Sequence, residues 1–87
     1  MYTITYIKKS VDDIQKLKSA KLDTKAKALI EILRENPFKN PPPYEKLQGN
    51  LSGLYSRRIN IKHRLVYQVS EEEHTVKIIS MWTHYEF

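Results

Sequence analysis

The sequence predicts an α+β fold in which a helical hairpin covers one face of an antiparallel sheet. Three observations lead there. The chain opens on a β-branched, aromatic segment; two stretches with helical apolar spacing follow as one block; and strand-like segments joined by very short turns finish it. Helices in one block and strands in a run point to α+β, here in the order β-α-α-β-β-β. With 87 residues the chain makes one small domain, 1–87, with a single core and a site confined to a surface or groove.

Residues 2–7 read as the opening strand. Ser10 offers a side-chain cap to a first helix, and Asp13, three residues on, completes a capping-box pattern. Val11, Ile14 and Leu17 form its apolar face. Residues 18–22 are a connection, after which Asp23 or Thr24 caps a second helix. Ala26, Leu29, Ile30 and Leu33 make its stripe, with Lys25, Lys27, Glu31 and Arg34 mostly outside it. Asn36-Pro37 ends the helix, because the residue before proline avoids helical geometry.

All four prolines fall in residues 37–43, which read as an extended linker. Tyr44 to Gly53 is a turn-rich approach to the next strand. Residues 54–61 and 63–69 are strands separated so briefly that an antiparallel hairpin is required, and 74–83 is the last strand. In the second of these, His63, Leu65, Tyr67 and Val69 share one face and Arg64, Val66 and Gln68 the other. One sheet face meets the helices; the other is expected to be a shallow basic surface.

The absence of cysteine excludes a disulfide scaffold and a thiolate zinc site, and fits a reducing compartment. No apolar run approaches the roughly 20 residues that span a bilayer, and the N-terminus reads as a strand rather than a signal peptide, so a cytoplasmic protein without membrane contact is expected. Fifteen Lys and Arg against 10 Asp and Glu leave a net charge of +5, which favours polyanions, nucleic acid first. Arg57, Arg58, Lys62 and Arg64 concentrate that charge, while Glu71-Glu72-Glu73 stands apart in a turn.

Metal-free RNA cleavage needs a base to deprotonate the 2′-hydroxyl, an acid for the leaving 5′-oxygen, and cations against the charge growing on phosphate. Glu45, just after the stiff linker, is a candidate base or an ordinary solvated glutamate. Arg64 can grip two phosphate oxygens, or can simply pair with a neighbouring carboxylate. His84 is a candidate acid, since imidazole titrates near neutrality, or a frayed terminal histidine. Tyr85 can stack on a base or bond the phosphate, or cap the core edge. Arg57 and Arg58 point to opposite faces, so at most one reaches a scissile phosphate and the other anchors RNA backbone or a partner. His63 and Trp82 read as packing residues, His74 has no assigned role, and the three histidines lack metal-ligand spacing. No cofactor or metal is expected.

Asn50-Leu51-Ser52-Gly53, Tyr55-Ser56-Arg57-Arg58-Ile59, His63-Arg64-Leu65-Val66-Tyr67 and His84-Tyr85 resemble the Txe/YoeB family of bacterial toxins, within the RelE/ParE superfamily. The likeness is specific from about Asn36 onward. It implies a RelE/ParE-like fold and an mRNA interferase, an endoribonuclease acting in the A site of the 70S ribosome and so inhibiting translation. It implies Glu45, two residues before Leu47, as base; Arg64 as phosphate stabiliser; His84 as acid; Tyr85 as the residue orienting substrate; and Arg58 in the RNA-contacting surface. Gln48 stands where a lysine often follows that leucine, with Lys46 close by as an RNA-binding cation, and Glu86-Phe87 extend beyond the usual terminal tyrosine. The implied partner is a YefM/Axe-type antitoxin, with operator DNA reached only through it and a homodimer left open. Two other readings stand beside this one: a ParE-like gyrase inhibitor or co-repressor without nuclease activity, and a basic RNA-binding module that cuts nothing.

Overall fold

A computed structural model describes residues 1–83. Strand β1 (Thr3–Tyr6) leads into helices α1 (Lys8–Ser19) and α2 (Asp23–Glu35); a linker then reaches β2 (Glu45–Lys46), a 3₁₀ turn (Gly49–Leu51), β3 (Leu54–Arg58), β4 (Arg64–Ser70) and β5 (Thr75–Thr83). One five-stranded sheet runs β1-β5-β4-β3-β2. The expected fold class holds, with two additions. A two-residue strand, β2, joins the sheet edge, and β1 lies parallel to β5 while every other pair is antiparallel.

The core lies between the helices and the sheet. Leu17 of α1 and Ala26, Ile30 and Leu33 of α2 pack with Leu65 and Tyr67 of β4 and Val76, Ile78 and Met81 of β5. The stripe predicted for α2 is therefore the one it buries, and α2 stops at Glu35 with extended backbone at Asn36 (φ −158°, ψ 104°) before Pro37.

Helix α1 departs from expectation at its start. It begins at Lys8, has no side-chain cap, and carries Ser10 inside its first turn, where the hydroxyl donates to the Ile7 carbonyl at 2.8 Å. Asp13 makes no capping box. Its carboxylate is buried and accepts from the Met81 amide at 3.0 Å and the Lys9 ammonium at 2.9 Å. The β4–β5 register has irregularities here and gives Met81 no partner, so the amide needs an acceptor from outside the ladder. Burying Ser10, Asp13 and Leu17 fixes the phase of α1 and turns Val11 outward, half exposed, contrary to the predicted face.

The β3–β4 hairpin is shorter than read from sequence. Asn60 closes its turn through Oδ1, which accepts from the amides of Lys62 (2.8 Å) and His63 (2.6 Å). Gly53, at φ +93°, supplies the left-handed backbone that delivers the 3₁₀ turn into β3.

Candidate active site

The edge of the sheet builds an open groove of about 330 Å³, lined by Pro43, Tyr44, Glu45, Ser56, Arg58 and Arg64. Strand register explains its make-up. Glu45 of β2 lies opposite Ser56 of β3, and Arg58, two residues on and on the same face, lies opposite Arg64 of β4. Three strands thus bring one carboxylate and two guanidinium groups to one face.

Glu45 Oε1 and Arg64 Nη1 stand 3.0 Å apart, as a hydrogen-bonded ion pair with side chains 63% and 20% exposed. A pair this open adds little to stability. Its content is geometric: an acceptor of protons and a planar cation meet within reach of one small anion. The two sequence readings of Arg64 converge, because the neighbouring carboxylate it pairs with is Glu45 itself. Arg58 is exposed beside them.

Arg57 is a correction. The charge run predicts RNA contact for it, yet it is only 1% exposed and faces the other way. Its Nη1 donates to the Pro42 carbonyl (2.6 Å), its Nη2 to the Pro37 carbonyl (3.0 Å) and its Nε to the Tyr67 hydroxyl (3.2 Å), while its guanidinium carbon lies 5.1 Å from the centre of the Tyr44 ring. Alternation along β3, combined with burial under the linker, removes it from any RNA surface. Lys46 is likewise off the groove. It pairs with Tyr55, on the parity opposite to Glu45, and remains solvent-exposed on that side.

His84 and Tyr85 lie outside the described residues. Thr83, the last described residue, pairs with Arg64 in the β4–β5 ladder. His63 stacks on Trp82 at 3.8 Å between ring centres, and His74 stacks on Tyr2 at 3.8 Å. Neither imidazole lines the groove. Among the described residues no three His, Cys, Asp or Glu side chains form a group able to hold a metal ion. Burial raises the Tyr67 hydroxyl above its ordinary pKa of 10.0, with the nearby Arg57 charge opposing that rise.

Tyr44 and Ser56 are groove residues that sequence reasoning passed over. Ser56 carried a signal, since it shares parity with Arg58. Tyr44 carried only its adjacency to Glu45.

Chemically, a carboxylate and two arginines in an open, shallow groove suit a phosphodiester. The carboxylate can accept a proton, and the arginines can take charge on non-bridging oxygens.

A family model described as the YoeB-like toxin of bacterial type II toxin-antitoxin systems matches residues 6–85. Toxin YoeB of Synechocystis sp. is 41% identical over 66 residues, 76% of this chain and 74% of that protein. Among solved structures, the YoeB/ParE toxin from Agrobacterium tumefaciens superposes with a TM-score of 0.85 at 30% identity, over 95% of this chain and 99% of that one. Staphylococcus aureus YoeB, in its complex with YefM, superposes with a TM-score of 0.80 at 34% identity, over 98% of this chain and 99% of that one. The layering matches the RelE/ParE-like arrangement expected from sequence.

Proposed function

This chain belongs to the family of YoeB-like toxins of bacterial type II toxin-antitoxin systems, and from that premise we propose that it cleaves mRNA in the A site of the translating ribosome. The observation that carries this reading is the 3.0 Å meeting of Glu45 and Arg64 in a groove shared with Arg58.

Glu45 takes the proton of the 2′-hydroxyl, and the resulting oxygen attacks the adjacent phosphorus. The bond to the 5′-oxygen breaks, leaving a 2′,3′-cyclic phosphate on the upstream fragment. His84 protonates the departing 5′-oxygen. Arg64 and Arg58 bear the negative charge that grows on the non-bridging oxygens, and Tyr85 orients the substrate. These groups supply base, acid and cations without a metal. The resting ion pair implies that an incoming phosphate takes over part of the Arg64 fork and frees Glu45 to act. A domain this small grips little RNA, so the ribosome supplies the positioning of the message.

The complex with YefM and the dimer known for the Staphylococcus aureus relative support a YefM-type antitoxin as partner and a homodimer as a further state. Among the described residues no helix is long and apolar enough to cross a membrane, which fits work in the cytoplasm.

The test is primer extension on translated and untranslated message with wild type, Glu45→Ala and His84→Ala. Wild type should cut only translated message, and each variant should lose cutting while keeping its fold. Undiminished cleavage by both variants overturns the assignment, and inhibition of purified gyrase with message left intact replaces it.

A further inference from the structure

The groove depends on β2, and β2 has only two residues, Glu45 and Lys46, paired at the sheet edge. A strand that short does not hold itself in place. Something else must fix the chain that enters it, and the structure shows what does.

Residues 37–44 cross from α2 to β2, and Arg57 holds this span at both ends. It bonds the Pro37 carbonyl at the start and the Pro42 carbonyl near the finish. The Tyr44 ring, next to Glu45 in the chain, lies beside the same guanidinium. Tyr67 completes the clamp: its hydroxyl accepts from Arg57 Nε and donates to the Pro37 carbonyl at 3.1 Å. Phe38 and Tyr44 both pack on Tyr55, at 5.4 and 6.0 Å between ring centres, so rings near both ends of the span meet one residue of β3.

The choice of arginine follows from this geometry. Three acceptors stand in three directions around one planar group, which a guanidinium meets and a single ammonium nitrogen on a flexible stem does not. Among the described residues no carboxylate lies within ion-pair distance of Arg57. Carbonyl dipoles and a ring face therefore surround its buried charge.

We propose that Arg57 is the positioning residue for Glu45: its buried guanidinium fixes the 37–44 span and so sets where the carboxylate stands against Arg64. This rests on the nuclease reading for its consequence, and on the clamp geometry alone for its mechanism. Arg57 touches no substrate; it acts through the backbone that carries Glu45.

The test uses Arg57→Lys and Tyr67→Phe, which keep the charge or the ring, with Arg57→Lys also placed in a Glu45→Gln background. Cleavage of translated message is measured in single turnover, and hydrogen exchange is followed at the Leu47 amide, which bonds the Leu54 carbonyl at 2.9 Å just past β2. In Arg57→Lys the maximal rate should fall about 10-fold or more at nearly unchanged half-saturation, with a smaller fall in Tyr67→Phe. Leu47 exchange should quicken in both while the β4–β5 ladder keeps its wild-type rates. Arg57→Lys should add no further loss in the Glu45→Gln background. A wild-type rate in Arg57→Lys, an equal further loss without Glu45, or unchanged exchange at Leu47 overturns the proposal. If the wild-type protein leaves translated message intact, the nuclease reading falls, and Leu47 exchange decides whether Arg57 holds the span.

Discussion

Arg57 and Arg58 are neighbours in β3 and chemically identical, yet the sheet gives them opposite surroundings. Arg58 stands in the open beside Glu45 and Arg64, while Arg57 is sealed under the proline linker and bonded to its carbonyls. The same contrast runs through the two faces of the sheet edge. The groove face holds charges whose pairing is exposed and weakly stabilising; the linker face holds a charge whose bonds are buried and close the structure. Parity along one strand thus decides whether an arginine is available to a ligand or belongs to the framework.

If that division is sound, substitutions on the two faces should separate activity from stability. Arg64→Ala is expected to lower ribosome-dependent cleavage about 10²–10³-fold, with unfolding free energy in urea changed by less than about 1 kcal/mol. A large stability loss there would erase the distinction. Arg57→Ala should do the reverse first, lowering the urea midpoint by the equivalent of about 3 kcal/mol, because it removes three hydrogen bonds of a buried guanidinium and takes the donor from the Pro42 carbonyl, leaving the Pro37 carbonyl only the Tyr67 hydroxyl.

Arg58→Ala should leave the midpoint near wild type and reduce the salt dependence of RNA binding by roughly one unit of slope in a filter assay, the signature of one lost phosphate contact. An unaltered slope would remove Arg58 from the RNA surface.

The smallest effect concerns pH. The folded protein holds the Tyr67 proton more tightly than the unfolded chain does. Stability linked to it is full below the ordinary value of 10.0 and is lost as pH rises through the raised one. Tyr67→Phe should therefore flatten the alkaline decline measured by thermal melts above about pH 10. An equally steep decline in the variant would place the titration elsewhere.

The sequence disclosed the helical hairpin, the proline stop at Asn36 and the β3–β4 hairpin, because apolar spacing and short turns are local signals. It hid β2, since two residues carry no periodicity, and with β2 it hid the nearness of Glu45 to Arg64, 19 residues apart. It misread Asp13 because a capping pattern and a buried anchor use the same side chain, and only the irregular Met81 amide across the core distinguishes them. It misplaced Arg57 for a related reason. Density of positive charge suggested RNA, while the carbonyls that claim this guanidinium come from a linker whose path no local pattern describes. The opposed faces of Arg57 and Arg58 were legible; which face was open was not.

The place of β5 in the sheet has a consequence for how the molecule comes into being. It lies between β1 and β4, so it is the only described strand that joins the opening strand to the β2–β4 edge. It also supplies Val76, Ile78 and Met81 to the core and the amide that anchors Asp13. The pairing of β2, β3 and β4 needs only nearby chain, whereas the core under the helices also needs Val76, Ile78 and Met81 of β5. The groove edge is thus built from short-range pairings, while the β1–β5 pairing must bring Thr3 to Thr75 across most of the described chain.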